Sequence, residues 1–286
     1  MKKNQLNSLR EQIQEDILSY PEANLFRSYF RCRAALSVVC AIALLGAAEA
    51  PAALITWSAA QTVSSDSDVD TTGSLVYAFT FGGTNAPPST IVNGVTFSPF
   101  TIPGGIVSTV TVGNVTLSES PGNLFGSNSF GSASTPFSSL SSNYQSLLGT
   151  GAYADLPTTI TVSLNGLTSG QNYLVQWWTS DSALLAPIYG GFFTSTTATS
   201  GTNSVTLDAN TSNTGGGLGQ FATGTFIASG TNQSFALVET SGGYNPLINA
   251  LQVREAVAVP EPSTWVMGLA LIACGVWGTL RRKRAR

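Results

Sequence analysis

Carboxylates are the side chains that remain for acid–base chemistry in the central part of this 286-residue chain. The chain contains no His, and its three Cys residues all lie in the segments 1–52 and 257–286. Between residues 53 and 259, Arg254 is the single cation. Ser-His-Asp triads, His-based zinc sites, Cys nucleophiles and Schiff-base lysines are therefore excluded there. A carboxylate-dependent polysaccharide hydrolase or lyase is the enzymatic alternative that stays open.

Asp66, Asp68 and Asp70 form the one dense acidic cluster of this central part. In an extended strand alternate residues share a face, so the three carboxylates would converge on a hard cation such as Ca²⁺. Oxygen atoms of Thr71 and Thr72 would complete the coordination. The cluster lacks the Gly and the downstream Glu of an EF-hand, and a solvated loop explains it equally well. Calcium is therefore a hypothesis for this segment, and no other cofactor is indicated.

Two adjacent tryptophans, Trp177 and Trp178, suggest a sugar-binding surface. Neighbouring residues of a strand point to opposite faces, so only one tryptophan is buried if one face of the sheet is wet. The exposed one would stack on a sugar ring, with Asp181 beside it and Tyr244 and Asn245 adding polar contacts. The alternative is that both indoles are buried, because Trp is a costly residue to expose.

Charge restricts the partners of the central part. Residues 53–259 carry nine acidic side chains against Arg254, a formal charge of −8. Such a surface repels phosphate backbones, which excludes nucleic-acid binding. It also has almost nothing with which to pair uronate or sulfate groups. Any polysaccharide partner is therefore expected to be neutral or weakly basic.

The elements that position these residues have a period of two. Residues 158–164 read Thr-Thr-Ile-Thr-Val-Ser-Leu, which places Ile160, Val162 and Leu164 on one face of a half-buried strand. Many similar short runs follow one another, separated by turn sequences such as Asn93-Gly94, and only residues 138–148 look helical. Ser and Thr make up 61 of residues 53–259 and occupy outward positions. This pattern predicts an all-β fold, a β-sandwich with a hydroxyl-rich exterior. Residues 217–255 are weakly similar to the closing strands of jelly-roll, galactose-binding-like modules.

The C-terminal segment combines three features in order. Pro260, Glu261 and Pro262 come first, and an apolar run of 16 residues then extends from Trp265 to Leu280. A helix of that length spans roughly 24 Å, short of the ~30 Å hydrocarbon core, so it would hold the chain in a membrane only marginally. A basic cluster over residues 281–286 follows and should stay on the cytoplasmic side, which leaves the upstream residues outside. Its expected stop-transfer residues are Arg281, Arg282, Lys283 and Arg284.

This arrangement resembles the PEP-CTERM sorting signal of Gram-negative bacteria that make exopolysaccharide. The resemblance covers about a tenth of the chain. It implies handling by an exosortase, a membrane-embedded cysteine protease or transpeptidase, after export by the secretion machinery. The tail would be removed from an inner-membrane precursor and the remainder delivered to the cell surface or matrix. A simple membrane anchor is the alternative.

The N-terminal segment agrees with export. Arg27, Arg31 and Arg33 precede an apolar stretch over 34–48 and a run of small residues, which is the order of a signal peptide. Ala53 is the expected new N-terminus, because cleavage after Ala50 would place a proline beyond the scissile bond. We therefore predict three parts: an extended leader and signal peptide over 1–52, a β-sandwich over 53–256, and a sorting signal over 257–286.

Together these patterns indicate an exported, surface-sorted protein that binds glycan or builds structure in an exopolysaccharide matrix. A self-associating adhesin or scaffold without a sugar site is the main alternative, and the carboxylate-dependent hydrolase or lyase is the second. Long bare edge strands would favour assembly. Two carboxylates facing each other across a cleft would favour hydrolysis.

Overall fold

The computed structural model of the protein describes residues 53–120, 122–155, 159–184, 195–240 and 245–256. All of them belong to one of the two units into which the chain divides, residues 51–286. The predicted leader, Tyr244 and the predicted sorting tail over 257–286 lie outside the described residues. Within the described part of the chain, no helix is long and apolar enough to cross a membrane.

The fold is all-β, as the alternating sequence predicts. Among the described residues, one α-helix, α1, covers Ser142–Leu148, and two short 3-10 turns cover Asp66–Asp68 and Phe137–Ser139. The strands of the described residues are β1 Thr56–Trp57, β2 Gln61–Thr62, β3 Ser74–Gly82, β4 Thr90–Val92, β5 Val95–Thr101, β6 Thr109–Val112, β7 Val115–Glu119, β8 Leu124–Ser127, β9 Gly151–Ala154, β10 Thr159–Asn165, β11 Asn172–Thr179, β12 Ser195–Ser200, β13 Asn203–Asp208, β14 Gln220–Ile227, β15 Asn232–Glu239, β16 Leu247–Ile248 and β17 Ala250–Glu255.

The strands form three sheets. Sheet 1 has the order β1-β14-β11-β17-β3-β5-β4, with β2 also paired to β14, and sheet 2 has the order β13-β12-β15-β10-β7-β6. Sheet 3 is the small sheet β16-β9-β8. Neighbouring strands are antiparallel except for β3 and β5, which run parallel. Tight hairpins set the register, for example between β4 and β5, where the predicted turn Asn93-Gly94 has two residues and both adopt a positive φ.

The first core lies between the inner faces of sheets 1 and 2. In β10, Ile160, Val162 and Leu164 are buried, while the alternating Thr and Ser residues point outward, as predicted. From sheet 1, Trp177 and Val175 of β11 belong to the same cluster. Period-two alternation in the sequence therefore places one apolar face of each sheet in a shared core.

A second core covers the outer face of sheet 1. It contains Trp178 and Phe221 from the sheet, and Tyr144, Leu147 and Leu148 from α1. Helix α1 falls inside the predicted helical region, and its N-cap Ser141 accepts a hydrogen bond from the backbone of Tyr144. The loop over residues 63–73, called the cover loop below, adds Val63 and Val69 to this core. Sheet 1 is thus buried on both faces, whereas the outer face of sheet 2 carries no such layer among the described residues.

Candidate functional site

The two adjacent tryptophans are both fully buried, at 0 % exposure. Trp177 points into the first core and Trp178 into the second. The indole N–H of Trp178 donates to the hydroxyl of Tyr144 at 3.0 Å, and its ring packs edge-on against Phe97 with centroids 5.8 Å apart. The prediction that one of them faces solvent as a sugar platform is therefore wrong. The prediction that the two tryptophans point to opposite faces of the strand is confirmed, but a core covers each face of sheet 1.

The other residues of the predicted sugar site do not assemble around an indole. Asp181 is 1 % exposed, its backbone N–H donates to Ala209, and its carbonyl accepts a hydrogen bond from Asn210. Asn245 is 4 % exposed and donates to Asp155 at 3.4 Å. Tyr244 lies outside the described residues. Asp181 and Asn245 thus occupy buried positions and do not line an open surface.

Asn249 is a buried polar centre that the sequence did not reveal. Its side-chain amide donates to the carbonyls of Leu148, Thr150 and Ser180, and its side-chain oxygen accepts from the backbone N–H of Ser180. These contacts join the end of α1 and the residue after β11 to the link between β16 and β17. The residue is fully buried, so its polar atoms require these partners, and its role is structural.

The acidic cluster forms a compact turn in place of the expected extended strand. Asp66 and Asp68 lie in the 3-10 turn Asp66–Asp68, so alternate residues do not share one face. The Asp68 carboxylate accepts hydrogen bonds from the backbone N–H groups of Ser64 and Ser65, from the Ser64 hydroxyl and from Tyr144. The premise of the calcium hypothesis, convergence along a strand, is therefore wrong.

The outer two carboxylates also have separate partners. Asp66 accepts a hydrogen bond from the hydroxyl of Ser141, and Asp70 accepts from the backbone N–H and hydroxyl of Thr72. Among the described residues, no three metal-ligating side chains are grouped closely enough to hold a metal ion. The cluster ties the cover loop to itself and to the start of α1. Calcium binding at Asp66, Asp68 and Asp70 stays a prediction to be tested.

Three polar side chains on the outer face of sheet 1 hold the cover loop in place. Gln176 and Gln252 hydrogen-bond to each other at 2.6 Å. Gln176 also donates to the carbonyl of Asp68, and Gln252 donates to that of Asp70. Arg254, 6 % exposed, donates to the carbonyls of Thr71, Thr72 and Gly73 at 2.8–3.0 Å. The only cation of residues 53–259 is therefore used to bind backbone and is not displayed for a ligand.

Burial also raises the pKa of two tyrosine hydroxyls, those of Tyr144 and Tyr77. Burial raises the pKa of the Tyr144 hydroxyl well above its ordinary value, and the negative charge of Asp68 adds to this increase. Burial likewise raises the pKa of Tyr77, with a smaller contribution from Tyr173. Both hydroxyls therefore stay protonated through neutral pH, which suits packing and hydrogen bonding.

The outer face of sheet 2 is an ordered polar surface that extends over six strands. We call it the hydroxyl face. One row crosses all six strands, with Thr109, Ser118, Thr161, Ala236, Thr199 and Ser204 opposite one another in register. Hydroxyls of neighbouring strands contact each other, as in Thr111 with Thr116 at 2.9 Å and Thr197 with Thr206 at 2.7 Å. Its hydroxyl-bearing residues are exposed or half-buried: Thr109, Thr111, Thr116, Ser118, Thr159, Thr161, Ser163, Ser195, Thr197, Thr199, Ser204, Thr206 and Ser234.

The hydroxyl face is nearly uncharged. Among the outward positions that the structure describes in sheet 2, Asp208, at the end of the edge strand β13, is the one charged residue. Strands space such side chains about 4.8 Å apart across the sheet and about 6.8 Å apart along each strand. The sequence predicted outward hydroxyls, but it did not identify which strands would share one face, because strand order depends on long-range pairing.

Comparison with known proteins adds no relative. The chain matches no protein-family model, no curated protein and no solved structure.

Proposed function

We propose that this protein is an exported, surface-sorted β-sandwich that binds neutral polysaccharide as a component of an exopolysaccharide matrix. Sheets 1 and 2 share one apolar core, which supports the sandwich architecture and its likeness to a jelly roll. Among the buried polar residues, the side chains of Asn249 and Arg254 make structural hydrogen bonds, and the backbone carbonyl of Asp181 accepts one from Asn210. The observation that carries the proposal is the hydroxyl face.

Neutral polysaccharide suits the hydroxyl face on chemical grounds. Sugar hydroxyls both donate and accept hydrogen bonds, as Ser and Thr hydroxyls do, and neither side requires a counter-charge. Replacing a hydrogen bond to water by a hydrogen bond to a sugar hydroxyl yields little free energy. Affinity therefore depends on many weak contacts made together along a polymer. A repeating chain and a repeating face permit that multiplicity. Anionic polymers would instead meet a domain of strongly negative formal charge.

Delivery to the surface rests on the two terminal segments. Processing by an exosortase is supported by the order of three features in the C-terminal segment. These are Pro260, Glu261 and Pro262, then the apolar run from Trp265 to Leu280, and then the basic cluster from Arg281. The leader over 1–52 supports export by the secretion machinery. The protein would contact the membrane transiently through its C-terminal helix and then reside at the surface or matrix of a Gram-negative cell.

Sorting is tested in the native host by Pro260→Ala combined with Pro262→Ala. We expect this variant to accumulate in the inner membrane as an uncleaved precursor, because the extended segment that the processing enzyme grips is lost. Fractionation and intact-mass measurement report the outcome. Normal release with the unchanged mature mass would overturn the sorting proposal.

Polysaccharide binding is tested with the full-length protein in mild detergent. Retention on neutral β-glucan, mannan and galactan is compared with retention on alginate, an anionic polymer. Thr116→Lys combined with Ser163→Lys places two long side chains on neighbouring strands of the hydroxyl face, and we expect about a tenfold loss of retention. Thr96→Lys on β5 is the control for an added lysine elsewhere, since Thr96 is exposed and lies on sheet 1. Equal retention of the double variant and the control would refute binding by this face.

A self-associating scaffold is the second candidate, favoured by the edge strand β6. It ends sheet 2 and carries no charged residue that would discourage pairing with another copy. Ile106, just before it, is 79 % exposed. The Thr111 N–H faces away from β7, because Thr111 and Thr116 form a non-hydrogen-bonded pair of the hairpin. Sedimentation of Thr111→Pro against wild type tests this candidate: oligomers that persist unchanged would exclude pairing along β6.

A further inference from the structure

A groove interrupts the hydroxyl face where β12 separates from β15. The pairing of these strands ends at Thr199 opposite Ala236, and the chain then turns at Gly201 into β13. Residues 233–235 of β15 therefore have no β12 partner beside them. The groove has a volume of about 430 Å³ and is lined by Thr161, Thr199 and Ser234. That volume lies within the range typical of small-ligand sites.

Gln233 supplies a buried polar group at this groove. The residue lines the groove and is 2 % exposed. Its amide nitrogen donates to the carbonyl of Ser234, whereas its amide oxygen has no hydrogen-bond donor among the described residues. A buried carbonyl oxygen without a donor is costly, so a ligand hydroxyl that reaches it gains more than one that exchanges with bulk water.

The remaining lining completes an amphipathic site. Ala236 replaces a hydroxyl in the row between Thr161 and Thr199, and its short side chain leaves a depression between them. Leu54, 51 % exposed, forms an apolar wall. A pyranose ring has hydroxyls around its edge and C–H groups on its faces, so it matches hydroxyl sides combined with an aliphatic wall.

We propose that this groove is a subsite that binds one or two sugar units of a neutral polysaccharide. The inference rests on the proposed function. The flat hydroxyl face would supply many weak contacts with the polysaccharide, and the groove would fix the position of the polysaccharide along that face. Donation of a sugar hydroxyl to Gln233 and contact of a ring face with Leu54 distinguish the groove from the flat surface.

The test uses the full-length protein in mild detergent and short neutral oligosaccharides, titrated by calorimetry and on a glycan array. Ala236→Leu fills the depression, and we expect at least a tenfold loss of affinity for the oligosaccharide that wild type binds best. Val238→Leu is the matched control, because Val238 is the next outward residue of the same strand. Gln233→Met and Thr199→Val remove the polar contacts without filling the groove, and each should also weaken binding severalfold.

The outcomes separate the subsite from the proposed function. The subsite is refuted if all three groove variants bind oligosaccharide as Val238→Leu does: Ala236→Leu, Gln233→Met and Thr199→Val. If Thr116→Lys with Ser163→Lys fails to bind polysaccharide in the same experiments, binding by the hydroxyl face is still supported. If wild type binds no neutral saccharide at all, both are refuted. Should Ala236→Leu melt far below wild type, the decision passes to Gln233→Met and Thr199→Val.

Discussion

The outer faces of sheets 1 and 2 differ in what covers them. The outer face of sheet 1 lies beneath the cover loop and α1, whereas the described outer face of sheet 2 carries exposed and half-buried hydroxyls. Strands β11 and β10 show the consequence. In β11 every residue from Tyr173 to Thr179 is buried, while β10 alternates between buried and open positions. Both strands bury one face in the same core, so the difference arises wholly on their outer sides.

The polar side chains of the two outer faces have different hydrogen-bond partners. The covered face holds the polar residues that bind backbone, Gln176, Gln252 and Arg254, and fixes the position of the cover loop. The open face holds side chains whose hydroxyls contact one another and solvent. Stability should therefore be sensitive to substitution on sheet 1, and binding to substitution on sheet 2.

The largest expected effect comes from the buried tryptophans. Trp177→Ala and Trp178→Ala should each lower the free energy of unfolding by about 3 to 5 kcal/mol, because each leaves a cavity in a packed core. Chemical denaturation measures the loss. Thr161→Ala on the open face is the control and should change stability by no more than about 0.5 kcal/mol. A small loss for Trp178→Ala alone would mean that the second core does not cover sheet 1.

Arg254→Met should have the next largest effect, a loss of about 2 to 3 kcal/mol. The methionine keeps much of the buried stem but removes charged donors from the carbonyls of Thr71, Thr72 and Gly73. Glu255→Gln, at the neighbouring half-buried position, is the control. Hydrogen exchange should show faster exchange in the cover loop of the variant. If exchange there is unchanged, Arg254 does not hold the loop.

Much of the fold follows from the sequence, and the exceptions lie on sheet 1. Alternation in residues 158–164 predicted β10 and its buried face, and Asn93-Gly94 predicted a turn, which joins β4 and β5. The sugar-platform prediction was wrong because it assumed an exposed face for β11, and the alternative, in which both tryptophans are buried, is confirmed. The run Tyr-Leu-Val-Gln-Trp-Trp has no alternation, and such a continuous run indicates a strand buried on both sides.

The candidate site was less predictable than the fold. Alternation in the sequence predicted that Ser and Thr residues point outward. Their placement on one face of sheet 2 depends on the strand order β13-β12-β15-β10-β7-β6. That order joins residues far apart in sequence, which local patterns do not encode. The groove beside Gln233 depends further on where β12 stops pairing with β15. The calcium hypothesis for the acidic cluster assumed a strand where the chain forms a 3-10 turn, whereas the alternative of a loop is closer to the structure.

Alkaline pH should destabilise the protein through its buried tyrosines. The pKa of Tyr144 is raised in the folded state, so the folded protein holds this proton more tightly than the unfolded chain does. The stabilisation is complete below the ordinary tyrosine pKa near 10 and is lost as pH rises above it. Tyr77 acts in the same direction. Each tyrosine should contribute a loss of about 1 kcal/mol per pH unit above ~10.

Melting temperatures recorded between pH 8 and pH 12 check this expectation. Tyr144→Phe has lower stability at neutral pH, because Trp178 and Asp68 lose a hydrogen-bond partner, but its curve should fall less steeply above pH 10. An equally steep curve for the variant would show that Tyr144 does not cause the alkaline loss.

The smallest expected effect concerns the acidic cluster and decides between a structural turn and a metal site. Asp68→Asn should lower stability by about 1 kcal/mol, because an amide accepts the hydrogen bonds of Ser64, Ser65 and Tyr144 less well than a carboxylate. We expect this loss to be the same with and without millimolar Ca²⁺, since each carboxylate has its own donors. Asp155→Asn serves as the control for loss of a negative charge elsewhere. A wild-type melting temperature that rises with Ca²⁺, with the rise abolished in Asp68→Asn and kept in Asp155→Asn, would instead establish a calcium site at Asp66, Asp68 and Asp70. It would make the cover loop a ligand-dependent layer and sharpen its contrast with the open face of sheet 2.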